Sequence, residues 1–329
     1  MKKWIVGFLA LALLGFGVAR CEMNSGRELD DGGRTEVLSN APHTPEAGAQ
    51  PGDRKVSDPV GDTDTAAASG TSADARGDAR AVGEGEGMDT LRLEERDIYK
   101  GELLLVNEEI AISPDFEAPE TLLLYEHREL VQGFGLMDRS IRLTPELLER
   151  FTAMVEEAET DGVDRFLITS GYRTEEEQGE LYRQLGAESA MPAGYSEHNL
   201  GMALDIGSSI GEMRVAPEGE WLREYAWEHG FILRYPEDKT EVTGVKYEPW
   251  HYRYVGLPHS AVMQQKGWVL EEYLAFLKEH RAMEAEWDGQ RYHIAYYPLS
   301  ETRSIRVPAD GRYTVSGNNT DGVVVTVWE

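Results

Sequence analysis

Two short segments that carry imidazoles and carboxylates constrain the fold of this chain more than any other feature. The first contains His198 and Asp205, and the second contains Glu248 and His251. A catalytic zinc site needs three protein ligands, an open position and a nearby carboxylate base. If the fold brings the two segments together, the ligands would be His198, Asp205 and His251. Glu248 would then be the base.

The residues between these side chains predict how each segment folds locally. In the first segment apolar residues alternate with Ala203 and Asp205, which would therefore share one face of a short strand. Gly201 permits a sharp bend that returns His198 toward Asp205. The second segment is predicted to be extended, because Pro249 disfavours helix at the residue before it. Spacing alone leaves two interpretations open. The first is a metal centre. In the second, His198 and Asp205 are only a hydrogen-bonded pair, and the segment of Glu248 and His251 is a loop anchored by a buried Trp.

Three ordered sequence boxes resemble the VanY-type branch of the zinc D-Ala-D-Ala peptidases. Residues 196–205 resemble the S-x-H-x-x-G-x-A-x-D signature, and residues 248–253 look like the E-P-W-H-x-R box. Upstream, residues 170–174 together with Gln178 are similar to the S-x-Y-R-[ST]-x-x-x-Q element. The resemblance covers about residues 98–280 and shows no departure at the metal or base positions.

The resemblance implies an α+β fold in which helices flank a mainly antiparallel sheet with a zinc cleft (Hedgehog/DD-peptidase-like). It also implies one Zn²⁺ per catalytic domain, held by His198, Asp205 and His251. Glu248 would act as general base toward a metal-activated water. The implied partner is a peptidoglycan stem peptide or precursor, from which the terminal D-Ala would be removed.

The same resemblance implies which residues contact the substrate. Arg173 matches an arginine that contacts the substrate or the developing oxyanion, and its fixed fork suits a terminal carboxylate. Gln178 and Ser196 match further substrate contacts. Several alternatives stay open: an L,D-carboxypeptidase, a D,D-dipeptidase or endopeptidase on the same wall peptides, or a non-catalytic zinc-containing wall-binding module. The intact Glu248 argues against the last, because a pure binder needs no base.

Two segments are predicted before the catalytic domain. Residues 1–21 combine a basic start with a short apolar run, which is typical of a signal peptide or an N-terminal membrane anchor. The single cysteine, Cys21, lies in a sequence that partly resembles a bacterial lipobox, although Arg20 stands where a small residue is expected. The protein is therefore expected at the cell envelope outside the cytoplasm, whether secreted, membrane-anchored or lipid-anchored. Residues 22–95 lack apolar periodicity and predict a disordered linker.

The net charge and the single cysteine argue against a nucleic-acid-binding protein, a protein bound to an anionic membrane surface, and a disulfide scaffold. A formal net charge of −28 argues against binding to nucleic acid or to an anionic membrane surface by bulk electrostatics. One cysteine cannot form an intrachain disulfide, so export would not imply a disulfide scaffold.

Residues 96–285 are predicted to form the catalytic domain. Strands are expected at 101–107, 165–170 and 231–236, and the helices are expected at 144–158, 174–184, 220–229 and 268–285. Residues 187–195 should form a loop over the site entrance.

The last part of the chain, residues 286–329, predicts a small β appendage. Its four short strands are expected at 292–297, 304–307, 313–316 and 323–328, separated by turn sequences. Four short strands make a thin independent core, which favours packing on the catalytic domain over an independent wall-binding role.

Overall fold

The structure, a computed structural model, describes residues 87–329. The predicted signal or anchor segment and nearly all of the predicted linker lie outside the described residues. Within residues 87–329, no helix is long and apolar enough to cross a membrane.

The helices of the described residues follow the predicted order. They are α1 (Pro145–Thr160), α2 (Glu175–Leu185), α3 (Pro217–Tyr225), α4 (Thr240–Thr243), α5 (His259–Lys266) and α6 (Leu270–His280), with 3-10 turns at Glu95–Tyr99, Arg128–Leu130, Glu197–Leu200, Ala226–His229 and Glu237–Lys239. Helix α1 begins where predicted, because the Thr144 hydroxyl accepts a hydrogen bond from the Leu147 amide at 3.2 Å. Helix α2 begins with a reciprocal capping box between Thr174 and Glu177. The helix predicted at 220–229 is α3 followed by a 3-10 turn, which ends at Gly230.

The strands form four sheets. They are β1 (Met88–Arg92), β2 (Leu122–Leu123), β3 (Phe134–Leu136), β4 (Arg142–Leu143), β5 (Phe166–Ser170), β6 (Ala203–Ser208), β7 (Phe231–Leu233), β8 (His251–Tyr254), β9 (Ala282–Trp287), β10 (Gln290–Pro298), β11 (Ser304–Pro308), β12 (Tyr313–Gly317) and β13 (Gly322–Trp328). The central sheet has the order β3-β5-β6-β8-β7, and only its β3–β5 pair is parallel. The prediction of a mainly antiparallel sheet flanked by helices is confirmed.

One face of the central sheet is covered by apolar side chains from α1 and α3. Phe151 and Met154 of α1 pack with Ile168, Leu204 and Ile206 of the sheet in one buried cluster. Because side chains alternate along a strand, the residues next to these, including Asp205, face the other side of the sheet. This arrangement leaves that second face available for a polar site.

Four C-terminal strands form one sheet, in the order β12-β13-β10-β9, whereas β11 pairs with β1 in a separate two-stranded sheet. All four predicted strands are present. The predicted final helix is too long, because it ends at His280 and Arg281 adopts a left-handed φ of 68°. Residues 282–287 form β9 instead and pair with β10. Ile294 and Val324 of this sheet share a buried cluster with α6.

The strand predicted at 101–107 is wrong. Leu103, Leu104 and Val106 are buried, but no strand pairs with this segment among the described residues. Its backbone polar groups are satisfied largely by side chains, such as Ser316, whose hydroxyl accepts from the Leu103 amide at 2.8 Å. We call residues 101–113 the strap.

Candidate metal centre

Three side chains of the two polar segments meet on one face of the central sheet. Asp205 on β6 is paired directly with His251 on β8, and His198 lies on the 3-10 turn that precedes β6. The Asp205 Oδ1 atom is 3.4 Å from His198 Nε2 and 3.1 Å from His251 Nδ1. One ligand atom from each residue lies within 4.8 Å of the others. This geometry can hold one metal ion.

The turn between His198 and Asp205 depends on Gly201. This glycine has a φ of 73°, which side-chain-bearing residues rarely adopt. A Cβ atom there would lie 2.8 Å from Pro119 Cγ and 2.9 Å from Thr144 Cγ2. The bend expected from the sequence is therefore present, and close packing also excludes a side chain at this position.

Each imidazole has one nitrogen bonded to the protein and the other nitrogen turned toward Asp205. His198 Nδ1 is 2.7 Å from the carbonyl oxygen of Gly171, and His251 Nε2 is 3.3 Å from Glu197 Oε2. Such partners fix the tautomer and the ring orientation of metal-ligating histidines. The arrangement leaves His198 Nε2 and His251 Nδ1 available to a metal ion.

The charges around the site keep Asp205 ionised. Burial alone would raise its pKa, but His198 and His251 hold the pKa of Asp205 well below its usual range. Burial opposes the charged form of His251, yet hydrogen bonds to Asp205 and Glu197 raise its pKa to about 9. The site thus concentrates negative charge around the imidazoles, as a cation site requires.

Glu248 lies at the edge of this cluster. Its Oε2 atom is 3.8 Å from His251 Nδ1, and its side chain is 30% exposed. Burial raises the pKa of Glu248, which opposes the lowering by His251. A carboxylate whose pKa is shifted toward neutrality and which reaches the solvent is suited to exchange protons with a water molecule.

Arg173 follows β5 and is held by its own neighbours. Its Nε atom donates to Gln178 Oε1 at 2.8 Å, and its Nη1 atom donates to the Ser170 hydroxyl. Burial lowers the pKa of Arg173, whereas the carboxylates of Asp205 and Glu248 raise it, so these two act electrostatically on the guanidinium. Arg173 therefore adds a fixed cation near the candidate metal centre.

The two other predicted substrate contacts are buried. Gln178 is 1% exposed, and its amide donates to the Met191 carbonyl at 2.6 Å while its oxygen accepts from Arg173. In this structure Gln178 connects Arg173 with the entrance loop (residues 187–195) and does not face solvent. Ser196 is 6% exposed and directly precedes the turn that carries His198. Direct substrate contact by either residue stays a prediction.

A buried charge network behind His251 was not predicted from the sequence. Glu197 Oε1 accepts from Arg234 Nε at 2.8 Å and from Arg253 Nη1 at 2.7 Å. Arg234 also makes a two-pronged pair with Glu271 at 2.6 and 2.9 Å. Glu197 and Arg253 lie inside the matched boxes and could have been noticed there, whereas no local signal connects Arg234 with Glu271.

A cavity of about 460 Å³ lies beside the centre. Its lining includes Thr169 and Gly207, which share the sheet face of Asp205, and Trp250, which stands between Glu248 and His251 in the chain. The Trp250 side chain is large and apolar, and the residue is 41% exposed. The cavity therefore adjoins the segments that carry Asp205, Glu248 and His251, although none of these three side chains lines it.

A largely buried His–Asp–His set with an adjacent carboxylate and arginine, on a sheet flanked by helices, defines a metallopeptidase type of centre. The comparisons with known proteins agree with that class. The model of the family VanY: D-alanyl-D-alanine carboxypeptidase matches residues 140–257. The chain belongs to this family, so the resemblance seen in the sequence boxes is confirmed.

Individual relatives support the same assignment. The chain is 49% identical over 246 residues to a D-alanyl-D-alanine carboxypeptidase of Enterococcus faecium, covering 75% of this chain and 81% of that protein. It is 38% identical to the bifunctional D-Ala-D-Ala dipeptidase and carboxypeptidase VanXYC of Enterococcus gallinarum, covering 43% of this chain and 82% of that protein. The solved structure of the D,D-dipeptidase VanXYg with a D-Ala-D-Ala phosphinate analog is similar with a TM-score of 0.64 and 31% identity, covering 74% of this chain and 99% of that one.

Proposed function

We propose that the protein is a zinc-dependent D-alanyl-D-alanine carboxypeptidase that removes the terminal D-Ala from peptidoglycan stem peptides. The observation that carries this proposal is the meeting of His198, Asp205 and His251 beside Glu248 and Arg173. Membership of the VanY family and the similarity to the D-alanyl-D-alanine carboxypeptidase of Enterococcus faecium support the same reaction.

The donor set fits zinc. Two imidazole nitrogens and one carboxylate oxygen are typical protein ligands of a catalytic zinc, with one position left for water or substrate. The two imidazoles are already oriented by Gly171 and Glu197, so the ligand atoms need little rearrangement to bind. When bound, zinc supplies Lewis acidity, which polarises a carbonyl and makes a water molecule more acidic.

Glu248 and Arg173 take the remaining roles. Glu248 would accept a proton from the attacking water and would return it to the nitrogen of the departing D-Ala, so that the carboxylate is regenerated. Arg173 would bind the terminal carboxylate of the peptide through its planar fork. Hydrogen bonds from Arg173 to Gln178 and Ser170 keep that fork in place before the substrate arrives.

The adjacent cleft favours a peptide over a free dipeptide. A cavity of about 460 Å³ adjoins the segments of Asp205 and His251, and we assign it to the residues that precede the scissile bond. Trp250 and Thr169 in its lining provide apolar and polar contacts for such a chain. We therefore favour a carboxypeptidase over a strict dipeptidase, although relatives of both kinds are similar to this chain.

The substrate class also bears on where the protein acts. Stem peptides of the wall are met outside the cytoplasm, which agrees with the export segment expected at residues 1–21. Attachment to the membrane through that segment belongs to the proposal, since those residues lie outside the described part of the chain.

Mass spectrometry of the products from a muramyl pentapeptide ending in D-Ala-D-Ala tests the function. Loss of one D-Ala, abolished by a chelator and restored by zinc, is the expected result. Release of the dipeptide, or cleavage of a tetrapeptide alone, would keep the metal chemistry and replace the specificity. Absence of any cleavage by zinc-loaded protein would favour a wall-binding module.

A further inference from the structure

The strap touches the candidate site although it lies outside the residues matched by the family model. Leu104 and Val106 of the strap pack against Leu200, which belongs to the 3-10 turn of His198. The backbone amide of Ile112 donates to the carbonyl of Gly194 in the entrance loop at 2.7 Å. The position of the strap therefore affects two segments that border the metal centre.

The Asn319 side chain of the C-terminal sheet region bonds to three backbone groups of the strap, in addition to the contact of Ser316 with Leu103. Asn319 is 7% exposed and lies in the turn between β12 and β13. Its Nδ2 atom donates to the carbonyls of Leu105 and Ala111, both at 2.9 Å. Its Oδ1 atom accepts from the Ser113 amide at 3.4 Å. Both amide protons of Asn319 are thus used to close the strap into one shape.

The hydrogen bonds continue from the strap to Arg173. The Gly194 amide donates to Asn199 Oδ1 at 3.3 Å, and Asn199 Nδ2 donates to the Arg173 carbonyl at 2.7 Å. On the other side of the same loop, Gln178 joins the Met191 carbonyl to the Arg173 side chain. The entrance loop thus holds Arg173 from two directions, while the strap holds the loop.

We infer that Asn319 is a positioning residue for the entrance loop and for Arg173, so that the C-terminal sheet region is part of the substrate-binding apparatus. This inference rests on the proposed function insofar as Arg173 binds the terminal carboxylate. Asn319 contacts no metal ligand and not Glu248, and its hydrogen bonds lead through the strap to the entrance loop, so we expect its contribution to fall on substrate binding.

Asn319→Asp tests the inference, because aspartate keeps the shape and tolerates the left-handed φ of 64° but cannot donate to Leu105 and Ala111. Asn319→Gly removes the same donors without adding charge, and glycine also adopts this φ freely. With the full chain and the pentapeptide, we expect KM to rise about 10-fold for each variant, as two lost hydrogen bonds can produce. The value of kcat should stay within about 2-fold, and zinc content should be unchanged.

Thr320→Ala is the matched control. Thr320 lies in the same turn, but its hydroxyl contacts Lys278 and Asp321 and not the strap. Amide hydrogen exchange of the metal-loaded proteins should be faster at residues 105–113 and 187–195 in both Asn319 variants, and unchanged there in the control.

Exchange at 187–195 that stays at the wild-type level in the Asn319 variants would overturn the inference. So would a KM that rises equally in the Thr320 control. If the wild-type protein releases no D-Ala, the proposed function fails, while the exchange comparison still decides the positioning role of Asn319.

Discussion

The Glu197→Gln substitution removes a carboxylate that two buried arginines share, and its cost can be worked from the contacts. Glu197 accepts from Arg234 at 2.8 Å and from Arg253 at 2.7 Å, and all three side chains have 0% exposure. Removing one partner of a buried ion pair costs about 3–5 kcal/mol, because an uncompensated charge stays buried. Arg234 keeps its pair with Glu271, so only Arg253 loses its carboxylate partner entirely. We therefore expect the free energy of unfolding to fall by about 3 kcal/mol, the lower end of that range.

The same substitution should weaken metal binding. Glu197 Oε2 is the partner of His251 Nε2, so the neutral amide would orient this imidazole less firmly. Loss of such a partner typically costs about 10–100-fold in metal affinity. We expect zinc affinity of the Glu197→Gln protein to fall within that range.

Urea unfolding of metal-free protein measures the first effect, and competition with a chromogenic chelator measures the second. Glu301→Gln is the control, because the Glu301 side chain is 63% exposed and its carboxylate pairs with Arg281 at the surface. Exposed pairs contribute at most about 1 kcal/mol. If both variants lose the same unfolding free energy, the buried network does not stabilise the fold more than an exposed ion pair does.

Three further predictions concern the site and the core. Glu248→Gln should keep one zinc per chain and lose about 10²–10⁴-fold in kcat, and near-normal turnover would remove Glu248 as the base. His198→Ala should lose stoichiometric zinc in metal analysis after dialysis, and full retention would exclude His198 as a ligand. Burial lowers the pKa of His259 from 6.5 to about 4, so the unfolded chain binds more protons between these values and stability falls with decreasing pH across this window. The fall should be about 3 kcal/mol, and His259→Gln should remove it in urea unfolding at pH 7 and pH 4, whereas parallel profiles would contradict the assignment.

The elements predicted correctly have their causes within a few residues of each other. Thr144 and Thr174 cap helices by accepting hydrogen bonds from amides three positions later. Gly201 forms a turn because glycine adopts its positive φ freely. Two of the candidate ligands were recognisable for the same reason: His198 and Asp205 lie seven residues apart, in one turn and the strand that follows it. What sequence reasoning could not supply is the pairing that places His251 opposite Asp205.

The elements that were missed depend on partners far along the chain. The strap has the apolar residues of a buried strand, yet side chains of Ser316 and Asn319 occupy its backbone groups in place of a neighbouring strand. The final helix was extended too far because residues 282–285 carry no helix-breaking residue. The alternation that makes them β9 is visible only once β10 is known to lie beside them.

The contacts of the strap also impose an order on folding. The Leu103 amide and the Ser316 hydroxyl that accepts from it are separated by 213 residues, and β1 pairs with β11 over a similar interval. Contacts of such long range slow folding, since the chain must close a large loop before it gains their energy. During synthesis, the Leu103 amide therefore lacks its partner until Ser316 has left the ribosome. Leu104 and Val106 can pack earlier, because their cluster includes Leu200. A protein truncated before β12 would contain every candidate metal ligand and still lack Ser316 and Asn319, which hydrogen-bond to the backbone of the strap.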